Sequence, residues 1–291
     1  MARFADTHIH TTASPCGFIE PSRLLQRAAD CGLDCIVITD HNTTKGAKEV
    51  LERQASNPRF LDIEVVVGIE TLTQYGEIAL IYMDGEDAKA IEALRPGPAE
   101  PFLLESLLSE VEKRKNAGKR ILSGVVHPFS SGLRGAFRFG DYLRDNARYY
   151  AASENSGRYV DVDWWLEVVG IPSNERSEFD NTAVVALFEL FRRFDFVEVF
   201  NGANFFPSEN RKAAALARVF DKPGTCGSDA HLSAAVGSAR TMYFGSSLRD
   251  AILNREVQTV AKRFNYPKAF VFRSASGFKR HVWRKLPFKN T

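Results

Sequence analysis

Five of the six histidines in this chain stand in four short polar clusters, and each cluster follows a short apolar run. The clusters are Asp6-Thr7-His8-Ile9-His10, Thr39-Asp40-His41-Asn42, His127-Pro128 and Gly227-Ser228-Asp229-Ala230-His231. Segments with helical spacing lie between the runs. Pro21 to Ala29 opens with a proline suited to a first helical turn and places Leu24, Leu25 and Ala28 on one face. Cys35-Ile36-Val37-Ile38-Thr39 has the unbroken, β-branched character of a strand buried on both faces. This recurring strand-then-helix order restricts the chain to a parallel sheet covered by helices, open or closed into a barrel. Folds of that kind gather their active sites at the carboxyl ends of the strands, which is where the histidine clusters fall.

The same reading predicts strands at Glu64 to Glu70, Glu77 to Met83, Arg120 to Val126 and Phe196 to Phe200, with short ones at Thr225-Cys226 and Thr241 to Tyr243. Helices are predicted over Lys45 to Gln54, Leu103 to Asn116, Thr182 to Arg193 and Glu209 to Phe220. From about Phe129 to Asn181 the rhythm is lost in a stretch rich in aromatics, Arg, Asp, Ser and Asn. Such a length is too great for a plain connection, so it reads as an insertion that begins after His127 and roofs the site. Its Tyr149, Tyr150, Trp164 and Trp165 are expected to form a small core of the insertion itself. One domain accounts for residues 1–291, with a basic tail over about 274–291 read as a solvated terminus.

Bulk properties exclude several classes. The 38 basic and 36 acidic residues nearly cancel, so no global field argues for a nucleic-acid coat or an anionic membrane surface. No run reaches the roughly 20 apolar residues of a membrane span, and the first residues lack the apolar stretch of a signal peptide. Cys16, Cys31, Cys35 and Cys226 form no disulfide framework and no paired zinc motif. They read as reduced thiols of a cytoplasmic protein.

Neutral imidazoles and carboxylates are what a divalent metal takes from a protein. In a strand, His8 and His10 share a face and lie about 6.5–7 Å apart along the backbone, within reach of one ion. Asp40-His41 follows a buried strand. Glu70 ends another, where a carboxylate must be paired or metal-bound; its two oxygens would let it bridge two ions, and a salt bridge to an arginine is the ordinary alternative. His127 stands at the same position after its own strand, where a hydrogen-bonded core histidine is the alternative. Asp229 and His231 offer a carboxylate and an imidazole after a glycine turn. One shared metal site accounts for all of them together.

These motifs, Asp6-x-His8-x-His10-Thr11-Thr12-x-Ser14, Ile38-Thr39-Asp40-His41, Gly68-Ile69-Glu70, His127-Pro128 and Gly227-Ser228-Asp229-x-His231, resemble in order and spacing the polymerase and histidinol phosphatase (PHP) family over residues 1 to about 245. The resemblance implies a distorted seven-stranded β/α barrel with up to three divalent ions (Mn, Zn, Fe or Mg) and phosphoester hydrolysis. Carried over by position, His8, His10, Glu70 and Asp229 hold the first ion, Glu70 and His127 the second, and His41 and His231 the third. Two positions depart from the family. Pro15, with Cys16 beside it, stands where an Asp or His ligand of the third ion is usual. Ala79 stands where a His ligand of the second is usual, with Glu77 on the same strand face.

The expected chemistry is hydrolysis of a small phosphorylated substrate, a nucleotide or short oligonucleotide among them, by a metal-activated hydroxide. His231, His41 and Asp40 are the candidate catalytic residues. Arg134 and Arg138 are the candidate contacts to the phosphate oxygens, since a guanidinium offers two parallel donors. Two other readings stay open at this point: a degenerate barrel that keeps one structural ion, and an amidohydrolase-type hydrolase. Against the latter, no lysine is placed to serve as a carbamylated bridge.

Overall fold

The Cys35–Ile38 run is buried on both faces: Ile36 and Ile38 pack under Leu24, Leu25, Ala47 and Val50, while Cys35 and Val37 face Ala79, Ile81 and Phe196 in the interior. A computed structural model describes residues 1–97, 100–131, 135–150 and 161–261, and places that run as β2 between β1 (Arg3–Ile9) and β3 (Glu64–Thr73). The remaining strands are β4 (Gly76–Ile81), β5 (Leu122–Val125), β6 (Phe196–Asn201), β7 (Gly224–Gly227), β8 (Ala239–Tyr243) and β9 (Val257–Ala261). Helices α1 (Pro21–Asp30) and α2 (Lys45–Ala55) follow β1 and β2; α3 (Gly85–Glu92) and α4 (Leu104–Asn116) lie between β4 and β5. Helices α5 (Phe139–Asn146), α6 (Val162–Val168) and α7 (Asn181–Arg192) precede β6, α8 (Pro207–Val219) precedes β7, and α9 (Leu248–Leu253) precedes β9. Arg134 and the basic tail at 274–291 lie outside the described residues.

The nine strands form one sheet in the order β7-β6-β5-β4-β3-β2-β1-β8-β9. The expectation of seven strands is therefore corrected, and the pairing shows why the count rises. Strands β1 to β3 run parallel, β4 is reversed between β3 and β5, and β5 to β7 are parallel again. The seven-strand sheet curls until its ends meet at a bridge between Ile9 and Ala230, where His10 N donates to Ala230 O at 2.9 Å and Ala230 N to His8 O at 3.3 Å. The antiparallel hairpin β8–β9 fills the rest of the seam: β8 pairs with β1 at Arg3–Ala5, and Thr241 Oγ1 exchanges hydrogen bonds with the Cys226 backbone of β7. The result is a nearly closed barrel.

The described residues between 129 and 181 do not stand apart from this core. Phe137, Phe139, Tyr142, Leu143, Leu166 and Ile171 are buried in the same apolar cluster as Ile78 of β4, Val125 of β5 and Leu187 of α7. Trp165 packs against Phe188 and Phe220, with ring centroids 4.7 and 5.4 Å away. The expected self-contained aromatic core is thus replaced by rings shared with α7 and the end of α8, because α5 and α6 present apolar faces that only the barrel helices can cover. Trp164 and Tyr149 are exposed.

Candidate metal centre

Strand alternation puts His8 of β1 and His10, which directly follows it, on one face and sends Ile9 to the core between them. Asp6 of the same strand holds the last motif to the first: its carboxylate accepts from Ser228 N at 2.9 Å, Ser228 Oγ at 2.6 Å and Gly237 N at 2.8 Å. Burial nevertheless pushes the Asp6 carboxyl up to about 6, against the pull of those hydrogen bonds. His127 and Asp229 both adopt left-handed backbone conformations, with φ of 30° and 50°. Non-glycine residues held this way cost about 1–3 kcal/mol each and cluster at functional sites.

Glu70 is the centre of the arrangement. Its Oε1 lies 2.7 Å from His127 Nε2 and 3.5 Å from His8 Nε2, and its Oε2 lies 3.2 Å from both His10 Nε2 and His41 Nδ1. The carboxyl is buried, which opposes its charge, yet the surrounding imidazoles of His8, His41, His10 and His127 hold it well below the usual carboxylate range. Asp229 Oδ1 sits 3.3 Å from His10 Nε2, 3.7 Å from His8 Nε2 and 3.4 Å from His231 Nδ1. Its carboxyl is likewise held low by His8 and His10 in spite of burial. The same contacts act on the imidazoles. Burial alone would lower them, but Glu70 and Asp229 raise His10, and Glu70 raises His127, each to about 9.

Four groups of ligand atoms result, each within 4.8 Å: His8, His10 and Asp229; His8, Glu70 and His127; His41, Glu70 and Glu77; and His10, Cys16, His41 and His231. Glu77 Oε1 lies 3.8 Å from His41 Nδ1 and Glu77 Oε2 3.9 Å from His127 Nε2, so a carboxylate stands beside the position Ala79 leaves without a ligand. Cys16 Sγ lies 3.2 Å from His231 Nε2. The tautomers suit metal binding. His8 Nδ1 donates to Glu198 Oε1 at 3.0 Å and His231 Nδ1 to the Asp229 carbonyl at 2.9 Å, which leaves both Nε2 lone pairs free to face inward. His127 Nδ1 is buried without a hydrogen-bond partner among the described residues. Converging lone pairs, compensated buried carboxylates and an orphaned ring nitrogen fit divalent cations.

The other expected site residues are placed differently. Asp40 Oδ1 accepts from Thr11 N and Oδ2 from Thr11 Oγ1, both at 2.7 Å, so its carboxylate fixes the loop after β1 and joins none of the four groups. Arg138 bonds the Gln74 carbonyl and Asp141 with its guanidinium 61 % exposed. Sequence reasoning missed Glu198, which is buried in β6. Besides holding His8 it accepts from His127 N and Asn201 Nδ2, each at 2.9 Å. The available signal was a carboxylate inside the apolar run Phe196 to Phe200.

Comparison with known proteins finds two family patterns in the chain. The PHP domain pattern matches residues 6–155, and a PHP-associated pattern matches residues 207–257. An uncharacterised protein of Methanocaldococcus jannaschii is 32% identical over 136 residues, which span 43% of this chain and 68% of that protein. The 5'-3' exoribonuclease Rnm of Salmonella typhimurium is 28% identical over 137 residues, 47% of this chain but only 43% of its own length. Among solved structures, PsfC from Pseudomonas syringae aligns over 97% of this chain and 99% of its own, with a TM-score of 0.55 at 18% identity. That likeness is one of fold. Among the described residues, no helix is long and apolar enough to cross a membrane.

Proposed function

The chain belongs to the PHP domain family of metal-dependent hydrolases, and from that premise we propose that it is a metal-dependent phosphoesterase acting on a phosphomonoester or on a nucleotide or short oligonucleotide phosphate. The observation that carries this reading is the single carboxylate of Glu70 with four imidazoles within 3.5 Å of it. A carboxylate so placed would serve two ions, and a pair of ions there would stabilise the attacking and departing oxygens of a displacement at phosphorus.

In this reading His8, His10 and Asp229 hold one ion with Glu70. His127 and Glu70 hold a second, with Glu77 beside them, and His41 and His231 serve a third. When bound, manganese, zinc, iron or magnesium would polarise the phosphoryl group and acidify water. The chain's own residues do the rest. Glu198 and the Asp229 carbonyl orient His8 and His231. Where the third position holds no ion, His41 or His231 is the residue placed to donate a proton to the leaving oxygen. The match to an exoribonuclease supports a phosphodiester among the substrates.

Cytoplasmic residence is part of the same proposal. The single-ion reading drew on Pro15 and Ala79, and the presence of Glu77 beside His41 and His127 weighs against it. The test is phosphate release from a panel of nucleotides, sugar phosphates and short oligonucleotides, run beside an amide panel, with metal analysis of protein purified without chelators. Two or more ions per chain, with turnover lost in Asp229→Ala and His10→Ala, is the expected result. One tightly held ion and no phosphoester hydrolysis would overturn it.

A further inference from the structure

The four cysteines of this chain occupy two kinds of surroundings. Cys35 is packed in an apolar cluster, Cys226 is buried within β7, and the Cys31 thiol donates to the Val236 carbonyl, as ordinary structural cysteines do. Cys16 instead faces imidazoles. Its Sγ is 3.2 Å from His231 Nε2, and one ligand atom from each of Cys16, His10, His41 and His231 fits within 4.8 Å. The three rings stack around this point, with centroids of His10 and His41 4.6 Å apart and those of His10 and His231 4.4 Å apart.

The loop that delivers the sulfur is held in place. Ser14 N donates to Thr11 O at 3.0 Å and Gly17 N to Ser14 O at 3.2 Å, closing a turn around Pro15. Phe18 N then donates to His231 O at 2.8 Å, tying the turn to the loop after β7. Gly17 passes so close to β1's exit that a Cβ there would lie 1.9 Å from Thr11 O, so no other residue allows this path. Cys16 is left only 2% exposed and aimed at His231. Because His231 Nδ1 is committed to the Asp229 carbonyl, the lone pair on Nε2 faces the sulfur across the gap an ion would fill.

We propose that Cys16 is a metal ligand, its thiolate completing with His41, His231 and the bordering His10 a position selective for a soft divalent ion, zinc or iron(II). The chain thereby supplies sulfur for the ligand that Pro15 does not provide. Zinc–sulfur and zinc–nitrogen bonds of about 2.3 and 2.0–2.1 Å give a tetrahedral edge of about 3.6 Å, within the range spanned by this cluster. Thiolate and imidazole favour zinc and iron, whereas the carboxylate-rich positions around Glu70 also suit manganese and magnesium. The centre is therefore of mixed selectivity, with one ion that excess manganese does not displace. This inference rests on the metal-centre reading and is independent of the phosphoester chemistry.

Cobalt(II) substitution of the full chain tests it. The wild-type protein is expected to show an intense sulfur-to-cobalt charge-transfer band in the near ultraviolet, lost in Cys16→Ala and in Cys16→Asp. After purification without chelator and dialysis against excess manganese, wild type should retain one zinc or iron per chain that Cys16→Ala loses, while Cys16→Asp binds manganese there instead. Circular dichroism and chelator-treated melting curves establish that the variants fold. A wild-type cobalt protein without the band, or a Cys16→Ala protein that keeps it, overturns the assignment. A band without phosphoester turnover would leave Cys16 a ligand and sink the phosphoesterase reading instead.

Discussion

Replacing Glu198 by glutamine changes one oxygen to an NH2 group and leaves shape almost untouched, yet the site offers that NH2 no good place. Glu198 Oε1 takes the His8 Nδ1 proton at 3.0 Å, while Oε2 takes the His127 backbone N–H and an Asn201 amide proton, each at 2.9 Å. All three partners are donors. If the amide NH2 faces His8, the ring must move its proton from Nδ1 to Nε2, and the lone pair that faces Asp229 and Glu70 is lost. Outer-shell partners of ligating histidines are worth about 10–100-fold in metal affinity, or about 1.4–2.7 kcal/mol. If instead the amide oxygen faces His8, two buried donors lose their acceptor, at about 1–3 kcal/mol each. The cost then appears in the stability of the metal-free fold. Competition titration of zinc against a chromogenic chelator reads the first outcome, and urea unfolding in the presence of chelator reads the second. One of the two must move by at least about 1 kcal/mol. If affinity and metal-free stability both stay within about 0.5 kcal/mol of wild type, the role given to Glu198 is wrong.

Two further perturbations follow from the same geometry. A Cβ at Gly135 would lie 2.2 Å from Glu77 Oε2 and 2.8 Å from His127 Cε1. Gly135→Ala should therefore displace both side chains, lower metal content and turnover, and leave the circular dichroism spectrum intact; unchanged metal content would refute the close approach. The chelator-treated protein should also lose stability as pH rises. His10 and His127 sit near 9 in the fold against 6.5 when exposed, so the stability they contribute is complete below about pH 6.5 and lost as pH passes 9. The rise corresponds to roughly 3 kcal/mol for either ring, and the two do not add because both lean on Glu70. Saturating zinc should flatten this slope by taking the place of the protons, a contrast that denaturation at several pH values with and without metal measures.

The pattern of candidate ligands was legible because a parallel α/β sheet sends its strand ends to one edge. Spacing alone put His8, His10, Glu70, His127 and Asp229 at such ends, and the structure gathers them around Glu70. What stayed hidden depended on side-chain direction or on contacts distant in sequence. Asp40 stands beside His41, but Thr11 claims both of its oxygens. Glu198 is one pleat position among apolar neighbours, and only the fold shows that its partners are His8 and His127. The direction of Cys16 is set by the turn through Gly17 and by a hydrogen bond to a loop over 200 residues away. Strand β8 was expected at Thr241 to Tyr243, but β9 escaped the reading because it pairs only with β8, in a seam that exists only once the sheet has curled.

That seam has a consequence for the order of events in the life of the chain. Asp6 and Ser228, whose contact draws the two edges together, are separated by 222 residues, and the ligands proposed for one ion come from both edges. During synthesis the first histidines emerge long before Asp229 and His231, so on the proposed assignment an ion finds its full ligand set only after most of the chain has been made. Once bound, it joins two edges that a Ile9–Ala230 bridge and a hairpin otherwise hold. Saturating metal should therefore slow the parting of that seam, which hydrogen exchange at the His10 and Ala230 amides would report.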